Sequence, residues 1–331
     1  MRVRRIPFDA ISSAKSIRPS LNYQLLVWIL SVIYGGFLAG LPLDIFKDRA
    51  NYLIYAEHSW EIFERTWEEG LLVGLVNEPL WLLLNAGLGA VLPPEAVLRT
   101  LIFVPATLVA WFVLRHEPRQ FMWLLLFLLV PQVVKNHIIH LRQGTAIAVF
   151  LAGWFASRQP LRGMLLVVAP FIHSSFFFVL FLLASVRIMR SLRLAADLRT
   201  LLMVGTAVGL GSTSWLAESL GARQAKLYTA PAEDFSGLGF AFWMLVLIVM
   251  VLQGREFLKQ CAFEINTIIF YLCTYFFSPF SARIFENTVL LVLLSGLRLT
   301  GWRNLAFLGL FLFYLLLQWF IRIGQPSFGW E

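Results

Sequence analysis

The residues of this chain best suited to proton transfer are one histidine and two acids. His173 lies near the middle of a largely apolar stretch, Glu78 directly precedes Pro79, and Asp48 follows the first apolar run. An imidazole titrates near neutral pH and therefore suits general acid–base catalysis. The alternatives are a core histidine bonded to a backbone carbonyl and an acid favoured by the dipole at a helix N-terminus.

Arginines at the ends of apolar runs are candidates for binding an anion. Arg142 and Arg283 are each flanked by apolar residues at the mouth of an apolar segment, and Arg49 lies near the end of the first apolar run. A guanidinium in this position suits a phosphate held by two parallel hydrogen bonds. The alternative is that these side chains extend to the membrane interface, as basic residues at helix ends usually do.

The sequence lacks the patterns of metal-dependent and serine-dependent catalysis. It has no Asp-x-Asp pair, and His137 and His140, three residues apart, have no carboxylate or thiol beside them. The segment Gly211-Ser212-Thr213-Ser214 lacks the partners and spacing of a nucleophile elbow. We therefore expect neither a metal nor another cofactor.

The elements that position these residues must be membrane helices. The chain is 59% hydrophobic and 14% charged, and apolar runs recur from Leu21 to Ile321. Backbone groups in lipid must be satisfied within helices or a closed barrel, and runs such as Leu305–Phe320 lack the alternation of barrel strands. The sequence predicts an all-α, polytopic transmembrane bundle, residues 1–331 forming a single domain of about 10–11 membrane segments.

Charge asymmetry predicts how the first half of the chain crosses the membrane. Basic residues in 1–20 place the N-terminus in the cytoplasm. Residues 42–96 then form an outer loop, of which 42–70 is irregular and 78–92 is a helix lying on the outer surface. Counting 78–92 as a full span instead would leave the basic residues around Arg115 outside.

The second half contains one more ambiguous segment. Residues 121–134 are expected to be one outward span, followed by an exposed outer stretch at 136–142. Basic residues flank 163–186 on both sides, although the segment is about one span long. A re-entrant hairpin that turns at His173 keeps both basic clusters inside, whereas a single pass would not. Residues 213–237 are predicted to be a second outer loop.

Four motifs in order resemble the EpsG family, which belongs with the Wzy-like O-antigen and exopolysaccharide polymerases. The resemblance covers residues 20–190, and Arg283 matches a late outer arginine of that family. The matching motifs are Asp48-Arg49-Ala50-Asn51-Tyr52, Glu78-Pro79-Leu80-Trp81, Leu141-Arg142-Gln143 followed by Ala146 and Ala148, and Ala169-Pro170-Phe171-Ile172-His173-Ser174-Ser175.

The resemblance implies a glycosyltransferase in the bacterial inner membrane, with its site facing the periplasm. Such polymerases join oligosaccharide repeats carried on undecaprenyl diphosphate, and arginines can stabilise the leaving diphosphate without a metal. Partners would be that lipid-linked substrate, membrane lipids and a chain-length regulator or flippase of the same pathway, but no nucleic acid. Residues expected to contact sugar or lipid are Tyr52, Gln143, His140, Ser175 and Trp81.

Two other functions stay open from the sequence. A flippase for lipid-linked sugars would share the arginines but should line both leaflets with polar residues, and the predicted spans hold almost none. A membrane O-acyltransferase would explain a buried histidine beside serines, although it should take its acyl donor from the cytoplasm.

Overall fold

Every regular element in the described part of the chain is a helix, which confirms the predicted all-α class. The computed structural model describes residues 20–43, 45–46, 48–192, 194, 202, 204–206, 237–276 and 281–330. The α-helices are α1 (Leu21–Gly40), α2 (Arg49–Glu68), α3 (Leu71–Val76), α4 (Pro79–Gly89), α5 (Pro94–Leu114), α6 (Phe121–Leu128), α7 (Pro131–Ile138), α8 (Leu141–Phe155), α9 (Gln159–Ile172), α10 (Phe176–Ser191), α11 (Leu238–Leu252), α12 (Arg255–Gln260), α13 (Ala262–Thr274), α14 (Ser281–Glu286), α15 (Val289–Gly296) and α16 (Trp302–Arg322).

Helix α5 is the core around which the first half of the chain packs. Residues on several sides of it, including Val97, Leu98 and Ala110, are completely buried. A helix that is apolar all round is expected to be enclosed by other helices. It contacts α1, α2 and α8, so it carries the elements that hold the candidate residues.

Helices α1 and α16 instead leave apolar side chains uncovered. Phe37 on α1 is 67% exposed and Phe320 on α16 is 81% exposed. Both helices, together with α5, are long and apolar enough to cross a membrane, and α6 with α7 would add a fourth span if the bent pair counts as one. The chain is an integral membrane protein, and its uncovered apolar faces suit lipid.

The segment expected to be irregular, 42–70, contains a long helix. Helix α2 occupies Arg49–Glu68 and buries Tyr52, Ala56 and Ser59 against its neighbours. These residues recur at helical spacing, but the charged residues between them hid that face. The amphipathic period, rather than mean polarity, was the informative signal.

The stretch predicted as one straight span is broken. Helices α6 and α7 meet at an angle of 63° on either side of Leu129 and Val130, directly before Pro131. The residues after the bend were expected to be exposed, but they are buried. Asn136, His137 and Leu141 are each at most 2% exposed. The bend places them inside the bundle, where α8 packs against α7.

Helices α9 and α10 are separated by a short break at His173-Ser174-Ser175. The break occurs where the hairpin was expected to turn, but its position relative to the membrane stays a prediction. The predicted cytoplasmic segment 1–20 and outer loop 213–237 lie outside the described residues, apart from Ser20 and Gly237.

Candidate functional site

Glu78 is the centre of a buried polar cluster that joins three distant parts of the chain. One carboxylate oxygen, Oε2, accepts a hydrogen bond from Arg142 Nη1 at 2.6 Å. The other, Oε1, lies 2.7 Å from Nδ1 of His173 and accepts the backbone N–H of Ser174 at 3.1 Å. Glu78 is only 4% exposed, so these contacts form in a largely desolvated environment. We call Glu78, Arg142, His173 and Ser174 the Glu78 cluster.

The backbone at Glu78 is in an unfavourable conformation. Its φ of 62° and ψ of 53° lie in the left-handed region, which non-glycine residues rarely adopt. Pro79 follows, and a residue before proline is hindered from the right-handed helical conformation. A conformation of this kind costs about 1–3 kcal/mol and persists where the surrounding contacts require it. Here the contacts are those that hold the carboxylate between Arg142 and His173.

His173 is positioned by the end of α9. Its backbone N–H donates to the carbonyl of Ala169, and its φ of −147° is extended, so the chain leaves the helix at this residue. With Glu78 ionised, Nδ1 donates to the carboxylate, and this fixes the tautomer in which Nε2 carries the lone pair. Nε2 has no hydrogen-bond partner among the described residues and is available to a substrate.

Arg142 is held by aromatic residues of α2 as well as by Glu78. The Tyr55 ring lies 5.6 Å from its guanidinium carbon, and the Tyr52 hydroxyl interacts with it. Trp81 is completely buried and packs edge-on against both tyrosines. Trp81 therefore supports the tyrosines rather than lining an opening of the site.

The start of α2 adds a second group of charges. Asp48 Oδ2 lies 4.0 Å from His140 Nδ1. Arg49 is 3% exposed, and all three of its guanidinium nitrogens are buried without a hydrogen-bond partner. The guanidinium carbon of Arg49 lies 5.5 Å from the centre of the Phe46 ring. A buried guanidinium with five unused N–H donors is suited to an anion.

The remaining predicted residues connect the cluster to the second half of the chain. Gln143 Nε2 donates to the carbonyl of Arg283 at 3.1 Å. Asn287 Nδ2 donates to the Ser175 hydroxyl at 2.8 Å. The structure thus brings Arg283 and Ser175 to the same region as the Glu78 cluster.

Glu78 directly precedes α4 and His140 directly precedes α8. Burial and neighbouring charges shift the pKa of both side chains. Burial by itself raises the pKa of Glu78, but Arg142, His173 and the Ser174 N–H outweigh it and hold that pKa well below its usual range. Burial lowers the pKa of His140, and the cations Lys135 and Arg283 lower it further. At neutral pH the carboxylate is therefore charged and His140 is neutral.

Three residues at this site escaped the sequence analysis. Ser174 contributes a backbone donor, which no side-chain pattern reveals. Tyr55 lies one helical turn after Tyr52, and Asn287 lies one turn after Arg283, so helical spacing from the predicted residues could have identified both. No three histidine, cysteine, aspartate or glutamate side chains form a metal-binding group in the described part of the chain.

A family model described as the EpsG family matches residues 25–330, nearly the whole chain. No curated protein and no solved structure matches it. The family match extends well beyond residues 20–190, where the motifs resemble that family.

Proposed function

The chain belongs to the EpsG family of Wzy-like polymerases, and from that premise we propose that it joins oligosaccharide repeats carried on undecaprenyl diphosphate. Membership gives the general role, a polymerase of exopolysaccharide or O-antigen type acting on a lipid-linked saccharide in the membrane. The lipid carrier, the metal-independent reaction and the residues that perform it are our proposal.

The observation that carries the proposal is the contact of His173 with a carboxylate that Arg142 holds in place. In the reaction, Nε2 of His173 accepts the proton of an acceptor sugar hydroxyl. The hydroxyl oxygen forms a bond to the anomeric carbon of the donor sugar, whose bond to the lipid diphosphate breaks. Glu78 stays ionised, orients the imidazole through Nδ1 and stabilises the imidazolium that forms. Glu78 is then a positioning residue, and His173 is the base.

The leaving diphosphate needs cations that can donate hydrogen bonds to it. Arg142 already donates one N–H group to Glu78, at 2.6 Å, so it can bind the diphosphate only through other N–H groups. Arg49 has all its donors available and is buried, where a charge interaction is stronger than in water. We assign Arg49 and Arg283 to the diphosphate, with Arg142 bridging the diphosphate and Glu78. Asp48, which lies 4.0 Å from His140 Nδ1, has no described contact with His173 or Arg142, and we do not assign it as the base.

The same residues supply contacts for the sugar and the membrane setting. Tyr52, His140, Gln143 and Ser175 surround the Glu78 cluster with hydroxyl, imidazole and amide groups that can bond sugar hydroxyls. Basic residues near the N-terminus favour a cytoplasmic N-terminus and a site facing the periplasm across the bacterial inner membrane. A chain-length regulator or a flippase of the same pathway would act with the protein there.

The test is a reaction with purified protein in lipid nanodiscs and the undecaprenyl-diphosphate-linked repeat of the source cell. Wild-type protein is expected to give a ladder of saccharide lengths and to release undecaprenyl diphosphate without added metal. His173→Gln, which keeps hydrogen bonding but loses basicity, is expected to lower the rate about 10²–10⁴-fold. Full activity of the glutamine variant would contradict the assignment of the base.

Two outcomes of this reaction would favour other functions. Transport of the lipid-linked repeat across a liposome membrane without any new glycosidic bond would indicate a flippase. Transfer of an acyl group to the saccharide from an added acyl donor would indicate an O-acyltransferase. Either result would replace the polymerase proposal.

A further inference from the structure

A second group of polar side chains lies beside the Glu78 cluster, on helices α7, α14 and α16. Gln132 Nε2 on α7 donates to the Tyr314 hydroxyl on α16 at 2.6 Å. Glu286 on α14 lies within electrostatic reach of Lys135, Arg283 and Arg322. None of the described cations comes within 4.0 Å of it to form an ion pair. We call Gln132, Lys135, Glu286, Tyr314 and Arg322 the Glu286 cluster.

Several atoms of the Glu286 cluster are buried and have no hydrogen-bond partner in the protein. They are Gln132 Oε1, Glu286 Oε2 and Arg322 Nε. Asn136, one helical turn after Gln132 on α7, is 1% exposed, and neither polar atom of its side chain has a partner. More than nine in ten buried polar groups in folded proteins are paired. Four such side chains on adjacent helices therefore point to a ligand with hydrogen-bonding groups of its own.

The chemistry of these atoms identifies the class of ligand. The unpartnered set contains three acceptors, Gln132 Oε1, Asn136 Oδ1 and Glu286 Oε2, and two donors, Asn136 Nδ2 and Arg322 Nε. A phosphate only accepts hydrogen bonds, and the Glu286 carboxylate would repel it. A sugar hydroxyl both donates and accepts, so it can satisfy the whole set. A divalent metal is disfavoured because Glu286 belongs to no group of three histidine, cysteine, aspartate or glutamate side chains in the described residues.

Aromatic rings line the same region. The Tyr314 ring stacks on Phe242 with centroids 4.0 Å apart, and Tyr271 stacks on Phe285, the residue before Glu286. Tyr271 and Tyr314 both lie within electrostatic reach of the Glu286 carboxylate. Rigid aromatic side chains that carry hydroxyl groups combine an apolar surface with polar tips, which suits the alternating faces of a sugar ring.

The Glu286 cluster is connected to the proposed base. His140 lies within electrostatic reach of Lys135 and Arg283 on one side and of Arg142 and His173 on the other. Arg283 and Glu286 are three residues apart on α14, and the Arg283 carbonyl accepts a hydrogen bond from Gln143, next to Arg142. The two clusters therefore share one region of the bundle.

We propose that the Glu286 cluster is a saccharide subsite, which holds a sugar unit of the substrate next to the unit that reacts at His173. This rests on the proposed function, because it assumes a substrate with several linked sugars. Glu286 and Gln132 accept hydrogen bonds from the hydroxyls, Arg322 donates to them, and Tyr314 fixes Gln132 in place. The subsite binds the saccharide and takes no part in proton transfer.

The experiment measures binding separately from catalysis. The probe is the lipid-free repeat oligosaccharide, released from its undecaprenyl diphosphate carrier by mild acid. It is titrated calorimetrically into purified protein in nanodiscs. Glu286→Gln and Tyr314→Phe are each expected to weaken binding at least about tenfold. Glu256→Gln is the matched control and should bind as wild type does, because the Glu256 side chain is 77% exposed and pairs with Lys259 on its own helix.

Two variants protect the test against misfolding. Tyr314→Phe removes only a hydroxyl, so it remains informative if Glu286→Gln fails to fold. In the polymerisation reaction, both variants should raise KM for the lipid-linked repeat and leave kcat within about threefold. Wild-type affinity for the oligosaccharide in both variants would overturn the subsite, as would absence of binding to the wild-type protein. Binding by wild-type protein that forms no polymer would contradict the proposed function but support the subsite.

Discussion

Two glutamates in this protein are buried to the same degree but have opposite surroundings. Glu78 is 4% exposed and Glu264 is 5% exposed. Glu78 contacts Arg142, His173 and a backbone N–H at 2.6–3.1 Å, whereas Glu264 makes no ion pair with any residue that the structure describes. Burial of an acid is therefore common to both regions, and the convergence of charged partners is found only at Glu78.

The two regions lie towards opposite ends of α8. Arg142 belongs to the first turn of that helix, and Trp154, twelve residues or about 18 Å further on, lines the cavity at Glu264. That cavity, which His116 and Arg298 also line, has a volume of about 20 Å³ and holds about one water molecule. A cavity of that size does not hold a sugar unit, and the charged partners of Glu78 are what favour its end as the reaction site.

The largest effect is expected from Glu78→Gln. The substitution keeps the shape but removes the charge that orients His173 and neutralises Arg142. We expect activity to fall about 10²–10⁴-fold, the usual contribution of a positioned base. Breaking one partner of a buried pair should also cost about 3–5 kcal/mol of stability, measured by thermal unfolding in detergent. Activity within tenfold of wild type would mean that the pair is only structural.

The pH dependence of stability provides a control for that variant. The pKa of Glu78 is lowered in the folded protein, so its contribution is present above the ordinary carboxyl range and is lost as the pH falls through the lowered pKa. The difference in unfolding temperature between wild type and Glu78→Gln should be constant from pH 8 to about 5. Below that it should shrink, and a difference that grows on acidification would contradict the pairing.

A smaller loss is expected from Arg142→Lys. An ammonium is a point charge and cannot contact Glu78 and Tyr52 together as the planar guanidinium does. Loss of one hydrogen bond to a charged group costs about 1.5–3 kcal/mol, which corresponds to about 10- to 100-fold in rate. Initial rates with the lipid-linked repeat test this prediction. The control is Arg65→Lys, because Arg65 lies on the exposed face of α2.

Gly144→Ala should act through packing rather than charge. A Cβ at Gly144 would lie 2.9 Å from His137 Nδ1 and would also meet the backbone of Asn136, so α8 would be pushed away from α7. We expect a loss of about 1–3 kcal/mol, the range for overpacked cores, and a lower unfolding temperature. Gly163→Ala on α9 is the control, because nothing lies within 4 Å of its Cβ. Equal unfolding temperatures for the two variants would mean that α8 has room to shift.

The smallest effect is expected from Glu264→Gln. Because no described cation pairs with Glu264, the amide keeps the shape of the side chain without leaving a partner charge unpaired. Polymer length and rate should stay within about threefold of wild type, since hydrogen bonds between neutral groups contribute only about 0.5–1.5 kcal/mol each. A loss as large as that of Glu78→Gln would show that the Glu264 end takes part in function and would remove the contrast between the two regions.

Candidate site residues could be identified from the sequence, whereas the residues that contact them could not. Ionisable residues are scarce in the apolar stretches because they are costly to keep there. This scarcity identified His173, Glu78 and Arg142 as candidates. From the sequence, His173 was the preferred base, and Glu78 and Asp48 were its rivals. Their separation of up to 125 positions along the chain carries no information about contact, so only the packing of α4, α8 and α9 gave Glu78 its two partners.

Helix boundaries show the same limit. The apolar runs of α1, α5 and α16 were visible because a membrane span is long and continuous. Helix α2 was missed because its buried face is narrow and lies between charged residues. The bend between α6 and α7 was missed because the apolar run continues past the break and was interpreted as one span. Pro131, which begins α7, marks the position of the break.

The sequence by itself determined that this chain is an all-helical membrane protein of the EpsG family, since hydropathy and short local motifs depend only on neighbouring residues. Tertiary structure decided which charges meet. It placed a carboxylate from a left-handed residue between an arginine and a histidine, and it left Arg49 and the Glu286 cluster with unused hydrogen-bonding groups. The physical reason is that pairing of buried charges depends on distances of a few ångströms between helices that are far apart in the chain.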